Sequence, residues 1–386
     1  MAAAARTPDR RAPCCGRTWC TTCTACTPSC TPLPAGAASS SPPTPPNSPL
    51  ERSPVSSRRL VAPVLLAAVA TLLLASCGQA APPAPTAEPG APSAAAADFP
   101  RTITVPAAPG GTESRLDLAA APQTIAALDY ESAEVIAELG LAERLVLVPE
   151  AVTNPALGGH IAELSEVPHT IPVAMALDAE TVLALAPDLV VMSPRHGAED
   201  TIGSVLDQAG TPTLQLPDSW TDVAHVTSNI DLIGQATGGD AAAVALTEAL
   251  TSGLTPAADP SGARVLVLSN QAGRPFITAG AAFPLRVLDL AGGVSVSEEL
   301  GITTTGPISA EQIVAADPDA ILLIDMNGSG ERLFTDLLDN PAVAALPGAQ
   351  RTLLVAGRDV QALGLTVTIV GLHTITEWLA AETAAE

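Results

Sequence analysis

Lysine is absent from this 386-residue chain, tyrosine occurs once, and aromatic residues make up only 2% of it. Without lysine there is no Walker phosphate loop and no Schiff-base chemistry; a G-x-S-x-G elbow and an H-E-x-x-H helix are missing as well. An exported enzyme is therefore poorly supported. Cysteine is confined to the start: six of the seven lie before residue 31 and the seventh is Cys77. Beyond Cys77 neither disulfides nor thiolate metal sites are available. Positive charge is scarce there too, with ten arginines against 38 Asp and Glu, a net charge near −28. Such a surface disfavours nucleic acid and anionic membranes, favours a cationic docking partner, and keeps the protein soluble.

One long apolar run is present, LVAPVLLAAVATLLLASC at 60–77. Residues 1–57 before it are rich in Pro, Ser, Thr and Ala without an apolar period and read as disordered. Cys20-x2-Cys23-x2-Cys26-x3-Cys30 has the spacing of a ferredoxin half-site, but it stands in low-complexity sequence with no second cysteine set. Arg58 and Arg59 precede the apolar run, so 58–76 reads as an export signal; at about 17 residues it is short for a membrane span. Signals open chains, so residues 1–54 read as lying upstream of the true start, placed at Val55. Leu74-Ala75-Ser76-Cys77 resembles the bacterial lipoprotein box. That resemblance implies that Cys77 is the first mature residue and carries lipid, anchoring the protein on the extracytoplasmic face of the cell membrane; stable anchoring needs more than one acyl chain. Residues 77–121 form the lipidated Cys and a Pro/Ala tether.

Strand and helix patterns then alternate. In the first half, TIAAL, RLVLV, DLVVM and TPTLQL read as strands, and SAEVIAELG, PALGGHIAEL, AETVLALA and AEDTIGSVLDQAG as helices. In the second half, RVLVLS, AILLI and TLLVA read as strands, and FPLRVLDLAGG, AEQIVAA, RLFTDLL and TVTIVGLHTITEWLA as helices. The fold class is α/β: two Rossmann-like lobes with parallel sheets, 122–237 and 263–386, joined by one long rigid helix within 238–256. GGDAAAVALTEALTSG supplies that helix, with Asp240 as its N-cap.

Two stretches nearly coincide. LDAETVLALAPDLVV (177–191) and ISAEQIVAADPDAIL (308–322) share Ala179/Ala310, Glu180/Glu311, Ala184/Ala315, Pro187/Pro318 and Asp188/Asp319 at a constant offset of 131 residues. Each reads as a helix-turn-strand corner of one duplicated lobe. Asp178 and Ser309 are the expected N-caps, Ser309 with Gln312 in a capping box. Spacing alone leaves two readings of Glu180 and Glu311: complements of a helix dipole, or exposed recognition groups.

The duplicated motif, two α/β lobes, a connecting helix and a lipoprotein Cys resemble the iron-chelate and cobalamin class of ABC-importer solute-binding proteins over about residues 122–382, a helical-backbone periplasmic-binding-protein fold. The resemblance implies that Glu180 and Glu311 dock into arginine pockets of a permease, served by its ATPase. It implies a ligand held between the lobes at the carboxyl ends of the strands, with no intrinsic cofactor, no resident metal and a monomeric protein. Loops so placed carry Tyr130, Met175, Arg195, His196, Arg274, Phe276 and Arg358; the arginines suit carboxylates or anionic chelate oxygens. The second lobe is most similar to the haem-uptake branch, whose ligating His and Tyr are matched here by Met175 and Phe276. Met175 is either an axial ligand or core filler. His196 and His169 are candidate substitutes. The expected ligand is an iron chelate, siderophore-like or haem-like. A bare divalent-metal carrier is the alternative, though His160, His169 and His196 all fall in the first lobe; a sensor on the same fold is another.

Overall fold

The computed structural model describes residues 98–107, 112–172, 178–193, 198–217, 220–271, 273–362 and 365–381, all within the unit Ala84–Glu386. Cys77, Met175, Arg195, His196 and the export signal lie outside these residues. Among the described residues no helix is long and apolar enough to cross a membrane.

The chain enters through a hairpin, β1 (Arg101–Val105) and β2 (Ser114–Leu118), paired antiparallel. The tether reading ran through these residues, but their alternation is that of a one-faced strand pair: Ile103, Val105, Leu116 and Leu118 are buried while Thr102, Thr104, Arg115 and Asp117 are exposed. Five residues per strand is too short a period to stand out beside a Pro/Ala tract.

The first lobe comprises β3 (Ile125–Ala127), α1 (Tyr130–Glu138), β4 (Leu145–Pro149), α2 (Ile161–Leu164), β5 (His169–Ile171), α3 (Ala179–Ala184), β6 (Leu189–Met192), α4 (Ala198–Ala209), β7 (Thr213–Gln215) and α5 (Val223–Thr237). Its sheet is wholly parallel in the order β5-β4-β3-β6-β7. PALGGHIAEL is helical only from Ile161; at Gly158 the backbone passes so close to Val152 that a Cβ would fall 2.0 Å from its carbonyl oxygen. Helix α5 was not anticipated from the sequence.

Helix α6 (Asp240–Gly253) occupies the place read as the connecting helix. It is half of a helical hairpin: Gly238 ends α5 in the left-handed region (φ +77) and α6 packs back along it. The N-cap is Gly239, not Asp240; the Asp240 carboxylate instead pairs with Arg101 of β1 at 3.0 Å.

The second lobe comprises β8 (Arg264–Gln271), β9 (Arg274–Ile277), α7 (Phe283–Leu290), β10 (Val294–Ser295), β11 (Gly306–Pro307), α8 (Ala310–Ala316), β12 (Ala320–Asp325), α9 (Thr335–Leu338), α10 (Pro341–Ala344), β13 (Thr352–Ala356) and α11 (Thr366–Ala380). The path is β11-β9-β8-β12-β13, with β10 on the amino half of β8. Strands β10, β8, β12 and β13 run parallel; β9 is antiparallel to both of its neighbours, β8 and β11, so β11 runs in the β8 direction. Residues 270–276, read as a loop, form the end of β8 and the start of β9, the chain turning at Gly273 (φ +77).

Successive residues of the central strands enter different cores, as continuous apolar runs demand. Val265, Val267, Leu189, Val191, Leu322 and Ile324 share one cluster with Ala243, Leu246 and Leu250 of α6. The alternate residues fill two outer clusters, one per lobe, under α3 (Val182) and α8 (Ile313). Each buried leucine contributes about 2 kcal/mol, so packing rather than helix propensity fixes α6.

The duplication is visible in the backbone. Ala186 and Asp317, equivalent positions, both end their helix with positive φ (45° and 41°) just before the Pro-Asp pair. Asp188 accepts the Gln123 and Thr124 N–H groups at 2.9 and 3.0 Å, and Asp319 accepts that of Arg264 at 2.8 Å. The shared aspartate thus pins the amino end of the neighbouring strand, and in Asp188 the backbone donors hold the carboxyl below its ordinary value.

A Cβ on Gly234 of α5 would lie 2.4 Å from the Ala243 Cβ of α6. Gly234→Ala, which in an ordinary helix interior stabilises, is expected here to cost roughly 1–3 kcal/mol in urea denaturation through overpacking. A stabilised variant would contradict the close helix approach.

Candidate functional site

In each sheet one neighbouring pair of strands sends its connections in opposite directions, β3 and β6 in the first lobe, β8 and β12 in the second. The crevice beyond such a pair is where open α/β sheets bind ligands. In both lobes a buried aspartate ties the pair together. Asp129, following β3, caps α1 through the Ser132 N–H (2.8 Å) and accepts the Ser193 N–H beyond β6 (2.8 Å); Trp220 Nε1 donates to the Ser193 hydroxyl at 2.9 Å. Asp325, ending β12, accepts the Asn270 amide of β8 at 2.7 Å and backbone N–H groups of residues 327–330 at 2.7–3.2 Å. Burial alone would raise the Asp325 carboxyl, but the Asn270 amide and these backbone donors bring it below its ordinary value.

The candidate ligand residues distribute around these edges. Tyr130 opens α1 and is half-buried against the core. Arg274 and Phe276 stand on β9 beside the carboxyl end of β8, the guanidinium 5.3 Å from the ring centre, and Arg274 is exposed. Arg358 lies where the lobes meet: its N–H donates to the Ala156 carbonyl at 2.9 Å and Nη1 reaches the Gly158 carbonyl at 3.5 Å. Its Nε is buried without a hydrogen bond, 3.7 Å from Asp359 Oδ1. The structure therefore brings Arg358 to the first lobe and leaves Arg274 and Phe276 stacked on each other at the sheet edge. His169 begins β5, where it is exposed and pairs in register with Leu147 at the middle of β4. A cavity of about 620 Å³ bordered by Asp222, Thr227, Thr251 and Arg286 lies beside α5 and α6, away from the strand ends.

Glu180 and Glu311 are exposed, each in the first turn of its helix. The capping residues are as expected: Asp178 accepts the Glu180 N–H, and Ser309 and Gln312 complete the capping box. Glu311 is held below its ordinary value by its own backbone N–H and the Ser309 hydroxyl, so it is ionised. In both lobes the helix crosses back over parallel strands, which puts its start on the carboxyl-end side of the sheet.

A second ionic feature went unread in the sequence. His160 Nδ1 meets Glu134 at 2.9 Å and Nε2 meets Glu138 at 2.8 Å, both on α1, while the Thr366 hydroxyl of α11 donates to Glu138 at 2.9 Å. Glu134 is fully buried and also accepts the Gly159 and His160 N–H groups. The two carboxylates raise His160 to about 10, foremost through Glu134, and His160 holds Glu138 below its ordinary value. Both ring nitrogens are engaged, so His160 is no ligand donor. A Glu-x3-Glu pair on one helix face was its only sequence signal.

Because the His160 pKa rises from 6.5 to about 10, its contribution to stability is complete below pH 6.5 and lost as pH climbs toward 10. Glu138, depressed from 4.5, contributes above pH 4.5 and loses its share as pH falls. His160→Ala should cost about 2–4 kcal/mol near pH 6 by leaving Glu134 buried without its cation, and should flatten the alkaline fall in denaturation midpoint. An unchanged alkaline limb would mean that another group causes the fall.

A sequence profile described as periplasmic binding protein matches residues 125–359. No curated protein matches the chain. Among solved structures, the apo periplasmic heme-binding protein RhuT from Roseiflexus sp. RS-1 superposes with a TM-score of 0.56 at 22% identity, over 68% of this chain and 99% of that one. A periplasmic heme-binding protein from Pseudomonas aeruginosa gives 0.54 at 22% identity, over 67% and 94%. The heme-binding protein HutB of Vibrio cholerae gives 0.54 at 21%, over 67% and 98%. With the profile spanning most of both lobes, and with two sheets that each open on a strand-end crevice, the chain belongs to the periplasmic binding protein family.

Proposed function

We propose that the protein is the substrate-binding component of an ABC importer, lipid-anchored through Cys77 outside the cytoplasm, which captures a haem-like or siderophore-like iron chelate between its lobes. The observation that carries this reading is the duplicated corner: two capped helices, one per lobe, each presenting an exposed glutamate at the strand-end side. Exposed ion pairs are worth about 0–1 kcal/mol each, which suits brief docking on a permease. The acidic surface speeds encounter with a cationic partner.

The similarity to periplasmic heme-binding proteins supports a planar anionic ligand. Arg358, with its buried Nε unsatisfied, and Arg274, stacked on Phe276, are the cationic groups for its carboxylates or chelate oxygens. Tyr130 and Phe276 offer ring faces, and Met175, Arg195 and His196 complete the set proposed for the cleft. The bare-metal alternative has less support, because His160, His169 and His196 all belong to the first lobe and His160 is held between Glu134 and Glu138. Capture and delivery require no covalent chemistry.

Three measurements test this. Titrating the protein with haem, ferric siderophores, cobalamin and divalent metals by thermal shift should give stabilisation by an iron chelate; Met175→Ala should abolish a haem Soret shift if methionine is axial. Glu180→Ala with Glu311→Ala should leave that affinity intact and abolish uptake in cells. Weakened binding instead would make the glutamates ligand groups and remove the docking role.

A further inference from the structure

The loop after β12 reads Asp325-Met326-Asn327-Gly328-Ser329-Gly330, with oxygen-bearing side chains at its first, third and fifth positions and glycine at the sixth. This is the spacing with which calcium loops begin. Its internal bonds fit that geometry: the Gly330 N–H donates to Asp325 Oδ2 at 2.7 Å and the Ser329 N–H to Asn327 Oδ1 at 3.0 Å. Three side-chain oxygens, Asp325 Oδ1, Asn327 Oδ1 and Ser329 Oγ, converge on one point. The atom at that point is the amide nitrogen of Asn270, at 2.7, 3.1 and 2.8 Å respectively.

Asn270 comes from the neighbouring strand β8 and is 1% exposed. Its orientation is fixed, because Oδ1 accepts the Met326 N–H at 2.5 Å. A turned amide would set its carbonyl against three oxygens and its NH2 against an N–H. Calcium takes six to eight oxygens, whereas three face this point and the Asn270 side chain fills the remaining approach.

We infer that Asn270 is a positioning residue whose amide nitrogen replaces the cation around which a loop of this spacing otherwise folds, so that residues 325–330 are shaped without a metal ion. Two N–H dipoles shared among three acceptors do the work of a charge, and they arrive already attached to the sheet. The loop so fixed meets the first lobe. A Cβ on Gly357 would lie 2.9 Å from both Met326 Sδ and Leu157 Cδ2, and one on Gly328 3.5 Å from Asn154 Oδ1. The loop therefore forms one wall of the crevice; only this consequence rests on the binding reading.

The experiment is thermal unfolding of the purified full-length protein in EDTA and in millimolar calcium chloride, with no ligand added, so its outcome is separate from that of the transport reading. The wild-type protein should unfold at the same temperature in both. Asn270→Asp should lose roughly 5 °C or more in EDTA, where two carboxylates confront each other, and recover most of it in calcium; adding Asp325→Asn should remove the recovery. Calcium stabilisation of the wild-type protein would overturn the inference, since the cage would then be a cation site from which Asn270 moves aside. Equal destabilisation of Asn270→Asp with and without calcium would overturn it as well. The wild-type comparison decides even where Asn270→Asp does not fold.

Discussion

Two parallel strands that part company at their carboxyl ends leave backbone donors in the interior with no ladder to join. Each unmet donor there costs about 1–3 kcal/mol, enough to splay the crevice open. Asp129 and Asp325 meet this requirement in the two lobes, each accepting hydrogen bonds from its own loop and from the end of the neighbouring strand or beyond it. The start of α1 and the shape of the 325–330 loop follow from these bonds. So does the placement of Tyr130, which directly follows Asp129 and opens α1.

Among the described residues the lobes meet through two kinds of contact. The α5–α6 hairpin is fused into the core cluster that contains residues of both sheets. The other is polar: Glu138 accepts from the Thr366 hydroxyl, and Arg358 donates to the carbonyls of Ala156 and Gly158. Packing is tight, with Gly253 of α6 so near Ile369 of α11 that a Cβ would come within 2.5 Å. Large rotation of one lobe against the other would have to break the Thr366–Glu138 and Arg358–carbonyl hydrogen bonds and unpack a close-packed helix. These contacts oppose large rotation of the lobes and leave small adjustments around them.

Much of the fold was readable because its signals are local. The apolar runs at 145–149, 189–192 and 320–325 announce buried parallel strands, and the capping residues Asp178 and Ser309 sit where the helices begin. Pro-Asp at 187–188 and 318–319 was legible as a repeat but not as a strand clamp, since its partners Gln123 and Arg264 lie 55 or more residues away. The β1–β2 hairpin escaped because its alternation is brief; β9 escaped because Arg274 and Pro275 do not resemble strand residues until β8 is there to pair with them.

By itself the sequence determined the lobe repeat and the starts of its two repeated helices, because hydrophobic period and capping chemistry act within one turn or one strand. Tertiary structure alone decided which polar groups meet: His160 between two glutamates, Arg358 against the opposite lobe, and Asn270 inside a ring of oxygens supplied by another strand. Hydrogen bonds reach about 3 Å and depend on direction, so partners distant along the chain become partners only when the sheets set them side by side.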